Sequence, residues 1–184
     1  DDTIAARGGN DTLLGGAGDD RLTGGEGDDE IWGEAGNDTI DGAGGSNLVR
    51  FLTSTASVEV DLARGTASDG LGGVDVLRNI DRAHGSDFDD VIIGSDAANR
   101  LFGFDGADTI LSGAGRDTMA GGAGGDTYIV AAGDGYELIN DLGSSDGGAD
   151  TVIFAGYAAA AATVLRQSPA NENVVVRFDG TDDY

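Results

Sequence analysis

The chain has 184 residues, of which 34 are glycine and one is proline, and its 34 acidic residues against 10 basic ones leave a formal charge of -24. That charge opposes compaction and disfavours nucleic acid or an anionic membrane as a partner, which leaves cations as the natural one. All ten basic residues are arginines, there is no lysine or cysteine and one histidine, so Schiff-base, thiol and zinc-cluster chemistry and disulfide staples are excluded. No apolar run approaches the roughly 20 residues of a membrane span, so membrane insertion by this segment is not expected. The chain opens on Asp1-Asp2-Thr3-Ile4-Ala5, in the middle of a repeat and without a charged and apolar signal segment, which suggests a piece of something longer.

The first element, residues 1–47, is an array of one nine-residue phrase. Gly15-Gly16-Ala17-Gly18-Asp19-Asp20-Arg21-Leu22-Thr23 is followed by Gly24-Gly25-Glu26-Gly27-Asp28-Asp29-Glu30-Ile31-Trp32. With the acid at position six and the apolar residue at position eight, the array runs Asp2/Ile4, Asp11/Leu13, Asp20/Leu22, Asp29/Ile31, Asp38/Ile40 and Asn47/Val49. Positions seven to nine predict a very short strand with only position eight pointing inward, and the glycine-rich remainder reverses the chain. Two phrases then make one coil of 18 residues, so Asp11 comes beside Asp29 and Asp20 beside Asp38. Stacked carboxylates repel unless a positive charge lies between them, and loops rich in carbonyl and carboxylate oxygen suit a hard cation of the calcium type.

Residues 48–84 lose the beat but keep strand signals in Val58-Glu59-Val60-Asp61-Leu62 and Val74-Asp75-Val76-Leu77, either side of a turn at Leu71-Gly72-Gly73. They form either a separate subdomain or a longer solenoid coil. The second is favoured because 37 residues bury little core alone, and Val60, Leu62, Leu77 and Ile80 would then continue the inner row. The phrase restarts over 85–129 as Asp90/Ile92, Asn99/Leu101, Asp108/Ile110, Asp117/Met119 and Asp126/Tyr128, and ends near Ile129 because Gly135 falls where the next aspartate is due. Over 130–184, Tyr128-Ile129-Val130, Glu137-Leu138-Ile139, Asp150 to Phe154 and Asn173 to Phe178 read as longer strands that cover the open end of the solenoid. The alanine run 158–162 is left open between a short helix and a loop.

The phrase GGxGxDxUx in both arrays resembles the RTX, or haemolysin-type calcium-binding, repeat family. The resemblance implies an all-β fold, a right-handed parallel β-roll in two repeat blocks, with a spacer between them and a C-terminal capping flank. It also implies several calcium ions, each held by the carbonyls of positions two and four and the acid at six of one loop, with positions one, three and six of the loop two phrases on. Carried onto this chain, the first ion falls to Arg7, Gly9 and Asp11 with Gly24, Glu26 and Asp29, and the next to Gly16, Gly18 and Asp20 with Gly33, Ala35 and Asp38. Gly25, Gly27 and Asp29 face the loop of Asn47, while Asp2 belongs to the first, partial phrase. In the second block Ser86, Phe88 and Asp90 are set against Gly103, Asp105 and Asp108, and Ser95, Ala97 and Asn99 against Ser112, Ala114 and Asp117. Phe104, Gly106 and Asp108 are likewise set against Gly121, Ala123 and Asp126. Asn47 and Asn99 keep an oxygen but lose a charge, which predicts weaker or empty sites. Glu34 and Phe104 replace glycine at position two, where only the carbonyl is needed. The stretches NxVxF, VEVDLxxGxA, VDVLxNI and GSxxxD resemble the spacer between blocks in large RTX proteins. The implied function is a calcium-binding module of a secreted or cell-surface protein of toxin or adhesin type, exported by type I secretion and folding on calcium outside the cell. It is expected to be a monomer without catalysis of its own, with an extracellular protein or polysaccharide as any further partner. The alternative is the C-terminal part of an extracellular protease, lipase or alginate epimerase whose catalytic domain lies upstream of Asp1.

Other readings fare worse. His84, Ser86 and Asp87 are adjacent in sequence, which is not triad geometry, and no nucleophile elbow surrounds them. Carboxylates recurring every nine residues fit repeated ligation and not the single pair of a glycosidase. Trp32 at an outward position nine could serve sugar or protein contact, but isolated exposed aromatics are common and that plainer reading is favoured. The phased apolar residue at position eight rules out a disordered linker. An ice-binding rank of Thr3, Thr12 and Thr39 is interrupted by Arg21 and Glu30.

Overall fold

The structure, a computed structural model, describes residues 1–140 and 149–156 together with the backbone of two further strands, 162–168 and 171–178. The alanines 158–161 lie outside the described residues. Among the described residues there is no helix, and none therefore long and apolar enough to cross a membrane.

The first array folds as β1 (Thr3–Gly8), β2 (Thr12–Ala17), β3 (Arg21–Glu26), β4 (Glu30–Ala35), β5 (Thr39–Ala43) and β6 (Leu48–Arg50). Odd strands stack in one sheet and even strands in the other, all parallel, with partners 18 residues apart such as Leu22↔Ile40 and Leu13↔Ile31. Two phrases therefore make one turn of a parallel β-roll. Most of these strands are longer than the sequence predicts, six residues in β1 to β4. They extend past position nine because the position-one glycines Gly24 and Gly33 also turn inward and are buried, making an extended backbone that the ladder continues to pair.

The spacer adds β7 (Glu59–Asp61), β8 (Thr66–Ser68), β9 (Val74–Arg78) and β10 (Arg82–His84). β10 simply continues the even sheet, parallel to β6. In the odd sheet the order is β5-β9-β8-β7, with β8 antiparallel to both neighbours. The 37-residue excursion therefore runs ahead to the level of the second block and meanders back before the roll resumes. It widens the odd sheet by three strands where the even sheet gains one, a difference of about 10 Å at a strand spacing of about 4.8 Å. The second block continues with β11 (Val91–Ile93), β12 (Arg100–Asp105), β13 (Thr109–Leu111), β14 (Gly115–Ala123) and β15 (Thr127–Ala131). The flank supplies β16 (Gly135–Ile139), β17 (Thr151–Ala155), β18 (Ala162–Ser168) and β19 (Asn171–Phe178). β19 joins β16 antiparallel and β18 joins β19 antiparallel, which ends the parallel run of the even sheet.

Position eight supplies about half of the core. Leu13, Leu22, Ile31, Ile40, Val49, Ile92, Leu101, Ile110, Met119 and Tyr128 are buried in file along the roll, and Val60, Leu77, Ile80 and Ala83 carry the row through the spacer. Leu62 packs against it only partly buried. A core one residue thick leaves no neighbouring layer to relax into a void. Ile110→Ala is expected to cost about 2–5 kcal/mol, whereas Leu14→Ala, at an outward position 55 % exposed, stays within about 0.5 kcal/mol. Chemical denaturation of both variants in saturating calcium measures the difference.

Candidate metal sites

The loops owe their shape to paired left-handed residues at positions two and four. In the loop before Asp29 these are Gly25 (φ 120) and Gly27 (φ 129). A β-carbon on either would stand 2.0 Å from the Arg7 carbonyl oxygen or 2.2 Å from that of Gly9. Those two carbonyls, one coil earlier, thus point straight at the next loop. The same approach recurs from Gly18 to Gly36, Phe104 to Gly122 and Gly106 to Gly124. Arg7, Glu34 and Phe104 hold the position-two conformation without being glycine (φ 100, 66 and 90), a local strain that the stacked coil enforces. Position one is glycine for a different reason: a β-carbon on Gly24 would lie 2.0 Å from Asp29 Oδ2, so its absence makes room for a carboxylate oxygen.

Position six forms a ladder along the roll. The backbone N–H of Asp11 donates to Asp29 Oδ1 at 2.9 Å, that of Asp20 to Asp38 at 2.8 Å, that of Asp90 to Asp108 at 2.8 Å and that of Asp108 to Asp126 at 2.9 Å. Asp2 N–H begins it on Asp20 Oδ1. Each bond uses one carboxylate oxygen. The other, Oδ2 of Asp11, Asp20, Asp29, Asp38, Asp108 and Asp117, is sealed from solvent with no hydrogen-bond partner. The loops of Asp11 with Asp29, and of Asp20 with Asp38, thus each stack two acids with an unpartnered oxygen one coil apart. At positions one and three, the Gly33 carbonyl approaches Gly15 and that of Gly121 approaches Gly103, while the Glu26, Ala35 and Ala123 carbonyls each accept one N–H and keep a second lone pair.

Where position six is asparagine, the chain supplies its own donor. Asn47 accepts from Asp29 N–H at 3.0 Å and gives its amide N–H to the Asn79 carbonyl at 3.1 Å. Asn99 donates to the Asp81 carbonyl at 3.1 Å and accepts from Ser95 N–H at 2.7 Å. Asp90 is satisfied at both oxygens, by Val58 N–H, Ser86 N–H and the Ser86 hydroxyl. The loops at Ser86 to Phe88 and Ser95 to Ala97 accordingly lack the left-handed pair, yet the Phe88 carbonyl still faces Gly106, and those of Ser95 and Ala97 face Gly113 and Gly115. The Ser86 hydroxyl is thus committed to Asp90. His84 packs edge-on between Phe102 and Phe104, and burial together with Arg50 and Arg82 pushes its pKa down to about 4.

Several participants escape the nine-residue count. Asp75 is fully buried and takes the Asp38 N–H at 2.9 Å across 37 residues, leaving its Oδ2 without a partner. Asp150 takes the Asp126 N–H at 3.0 Å, and Asp81, which is in phase with the second array nine residues before Asp90, takes the Asn47 N–H at 3.0 Å across 34 residues. Position five forms a second, exposed ladder in the opposite sense, with Asp28 N–H on Asn10, Asn37 N–H on Asp19 and Ala107 N–H on Asp89. The recurrence of Asn or Asp at position five is visible in the sequence; the displaced acids are not.

Burial comes first in raising the pKa values of Asp75 and Asp108 to about 7, and the charges of Asp38 beside the one, and of Asp90 and Asp126 beside the other, add to it. Among the described residues no three acidic or imidazole side chains converge on one point. A cation here is therefore held mainly by carbonyls with at most two carboxylates, an all-oxygen donor set that fits calcium better than a softer metal. The unpartnered Oδ2 atoms and the glycine-made space beside them match that requirement. Bound there, a divalent cation supplies the positive charge that the stacked acids lack.

The family model for the RTX calcium-binding nonapeptide repeat matches in four copies, over residues 1–30, 14–49, 84–119 and 102–136. No curated protein matches. Among solved structures, the extracellular lipase LipA from Serratia marcescens is similar at 21 % identity and a TM-score of 0.29, over 92 % of this chain and 36 % of that one. This chain thus spans about a third of the length of that protein.

The raised carboxyl pKa values fix a sign. Without metal, the folded chain holds more protons than the unfolded one between about pH 4 and 7, so its stability falls as pH rises through that window. With calcium, protons compete for the same oxygens and stability rises over the same window. In chelator, any β-rich circular dichroism signal is expected to diminish from pH 4.5 to 7.5, whereas in calcium the melting temperature rises over the same range; trends in the same direction contradict cation binding at these acids.

Proposed function

Because the chain belongs to the RTX calcium-binding nonapeptide repeat family, we propose that it is a calcium-driven folding and spacing unit of a secreted or cell-surface protein of the toxin or adhesin type. The observation that carries this reading is the row of buried Oδ2 atoms without partners in a chain of charge -24. A single file of apolar residues offsets little chain entropy, and each unpartnered carboxylate subtracts from that. Ions supply the difference. A site with Kd of about 0.1 mM at about 1 mM calcium contributes roughly 1.4 kcal/mol, so a handful of sites is comparable with the whole stability of a domain.

The same linkage suits export. A cell interior poor in calcium leaves the chain unfolded for passage, and the calcium outside folds it into the roll. In this reading the module carries no catalysis itself; the half-buried His84, wedged between two phenylalanines, and the committed Ser86 hydroxyl support that view.

Circular dichroism in chelator is expected to show a disordered chain, with a cooperative transition to a β-rich spectrum at about 0.1–1 mM calcium. A β-rich spectrum that persists in chelator, or that is complete at about micromolar calcium, contradicts the proposal.

A further inference from the structure

Glu137 lies beyond residue 136, where the last family match ends, and outside every nine-residue phrase. It is nevertheless fully buried, 0 % exposed. It stands on β16 in parallel register with Asp117 of β14, itself 1 % exposed, and the two carboxyl groups lie against one another. Neither oxygen of Glu137 nor Oδ2 of Asp117 has a partner at ordinary hydrogen-bond geometry among the described residues, although the Asp117 N–H lies close enough to the Glu137 carboxyl to favour its charged form. None of the ion pairs among those residues reaches either acid.

The loop that delivers Glu137 keeps the left-handed pair and the position-four carbonyl approach of the earlier ones on a coil two residues longer, but Ala132 stands at position one and no carbonyl approaches Gly133. Gly133 and Gly135 are left-handed (φ 99 and 101), and the Gly115 carbonyl stands 2.1 Å from a β-carbon built on Gly135, as that of Gly27 does at Gly45. Three acceptor oxygens thus meet in a sealed space where the Asp117 backbone N–H is the one donor close to them. A shared proton satisfies one or two of them, whereas a divalent cation satisfies all three.

Resting on the calcium reading of the regular loops, we infer that Asp117 and Glu137, with carbonyl oxygens of the 113–115 loop, form a further site for a hard divalent cation that closes the second block. Glu137 also pairs with Val176 of β19, so this ion ties the antiparallel end of the roll to the last regular coil. Folding of the flank then follows calcium along with the repeats.

The test compares Glu137→Gln with Asp108→Asn in the full chain, counting bound calcium by equilibrium dialysis and melting each in calcium. Glu137→Gln is expected to lose one ion, or to weaken it on the order of tenfold or more, and to melt lower. A full ion count at unchanged affinity with a higher melting temperature, the mark of a glutamine amide donating to Asp117, overturns the inference. If Asp108→Asn loses its ion while Glu137→Gln keeps all of them, this site alone is refuted; if neither variant loses one, the calcium reading of the loops falls as well. Should Glu137→Gln not fold at any calcium level, Glu137→Asp decides: a folded chain with the full ion count supports the site, and an unfolded one points to packing and overturns it.

Discussion

The structure depends on one uncompensated repulsion: acids stacked coil upon coil, most of them with one carboxylate oxygen bonded to the backbone and the other buried without a partner. Asp20 and Asp38 show it most plainly. The N–H of Asp20 accounts for Oδ1 of Asp38, and Oδ2 of both residues is left facing the space between loops. Neighbouring coils are held together by ordinary parallel ladders, which are neutral and cannot offset a buried charge. The backbone nevertheless points carbonyl oxygens into the same spaces, so the loops concentrate negative potential where a cation would sit. That arrangement makes little sense for a fold meant to stand alone, and good sense for one completed by a metal.

Other features follow from this constraint. Glycine appears where a carbonyl or a carboxylate oxygen must pass, and the strained Arg7, Glu34 and Phe104 show that the stacked coil enforces the turn even without it. Asparagine at position six marks coils that close without an ion, because its amide N–H reaches a carbonyl, as Asn47 and Asn99 do. Serine achieves the same at Asp90 from within the loop. The roll therefore mixes rungs that need a cation with rungs that do not, and the second kind flank the spacer on both sides.

The nine-residue beat makes the two blocks, the inner row and the stacking of Asp11 on Asp29 legible in the sequence, because register and burial repeat with the same period. It fails wherever a coil changes length. Asp75, Glu137 and Asp150 occupy position-six places after 37, 20 and 24 residues. Pairing in the ladder is set by where the strand re-enters the sheet, and no local count records that. The spacer shows the same limit: its apolar residues continue the inner row as their pattern suggests, but the meander that places β8 antiparallel between β9 and β7 depends on long-range pairing. Strand length is underestimated from the sequence since position-one glycine has no side chain to betray an inward orientation.

The central claim, that the space between stacked acids is a cation site, is tested most directly by anomalous diffraction from crystals grown in calcium. The account predicts a calcium peak between the loops of Asp20 and Asp38, about 2.3–2.6 Å from the Oδ2 atoms and the surrounding carbonyl oxygens. A folded roll at saturating calcium with no peak there, and with those Oδ2 atoms bonded to water or sharing protons, would contradict it.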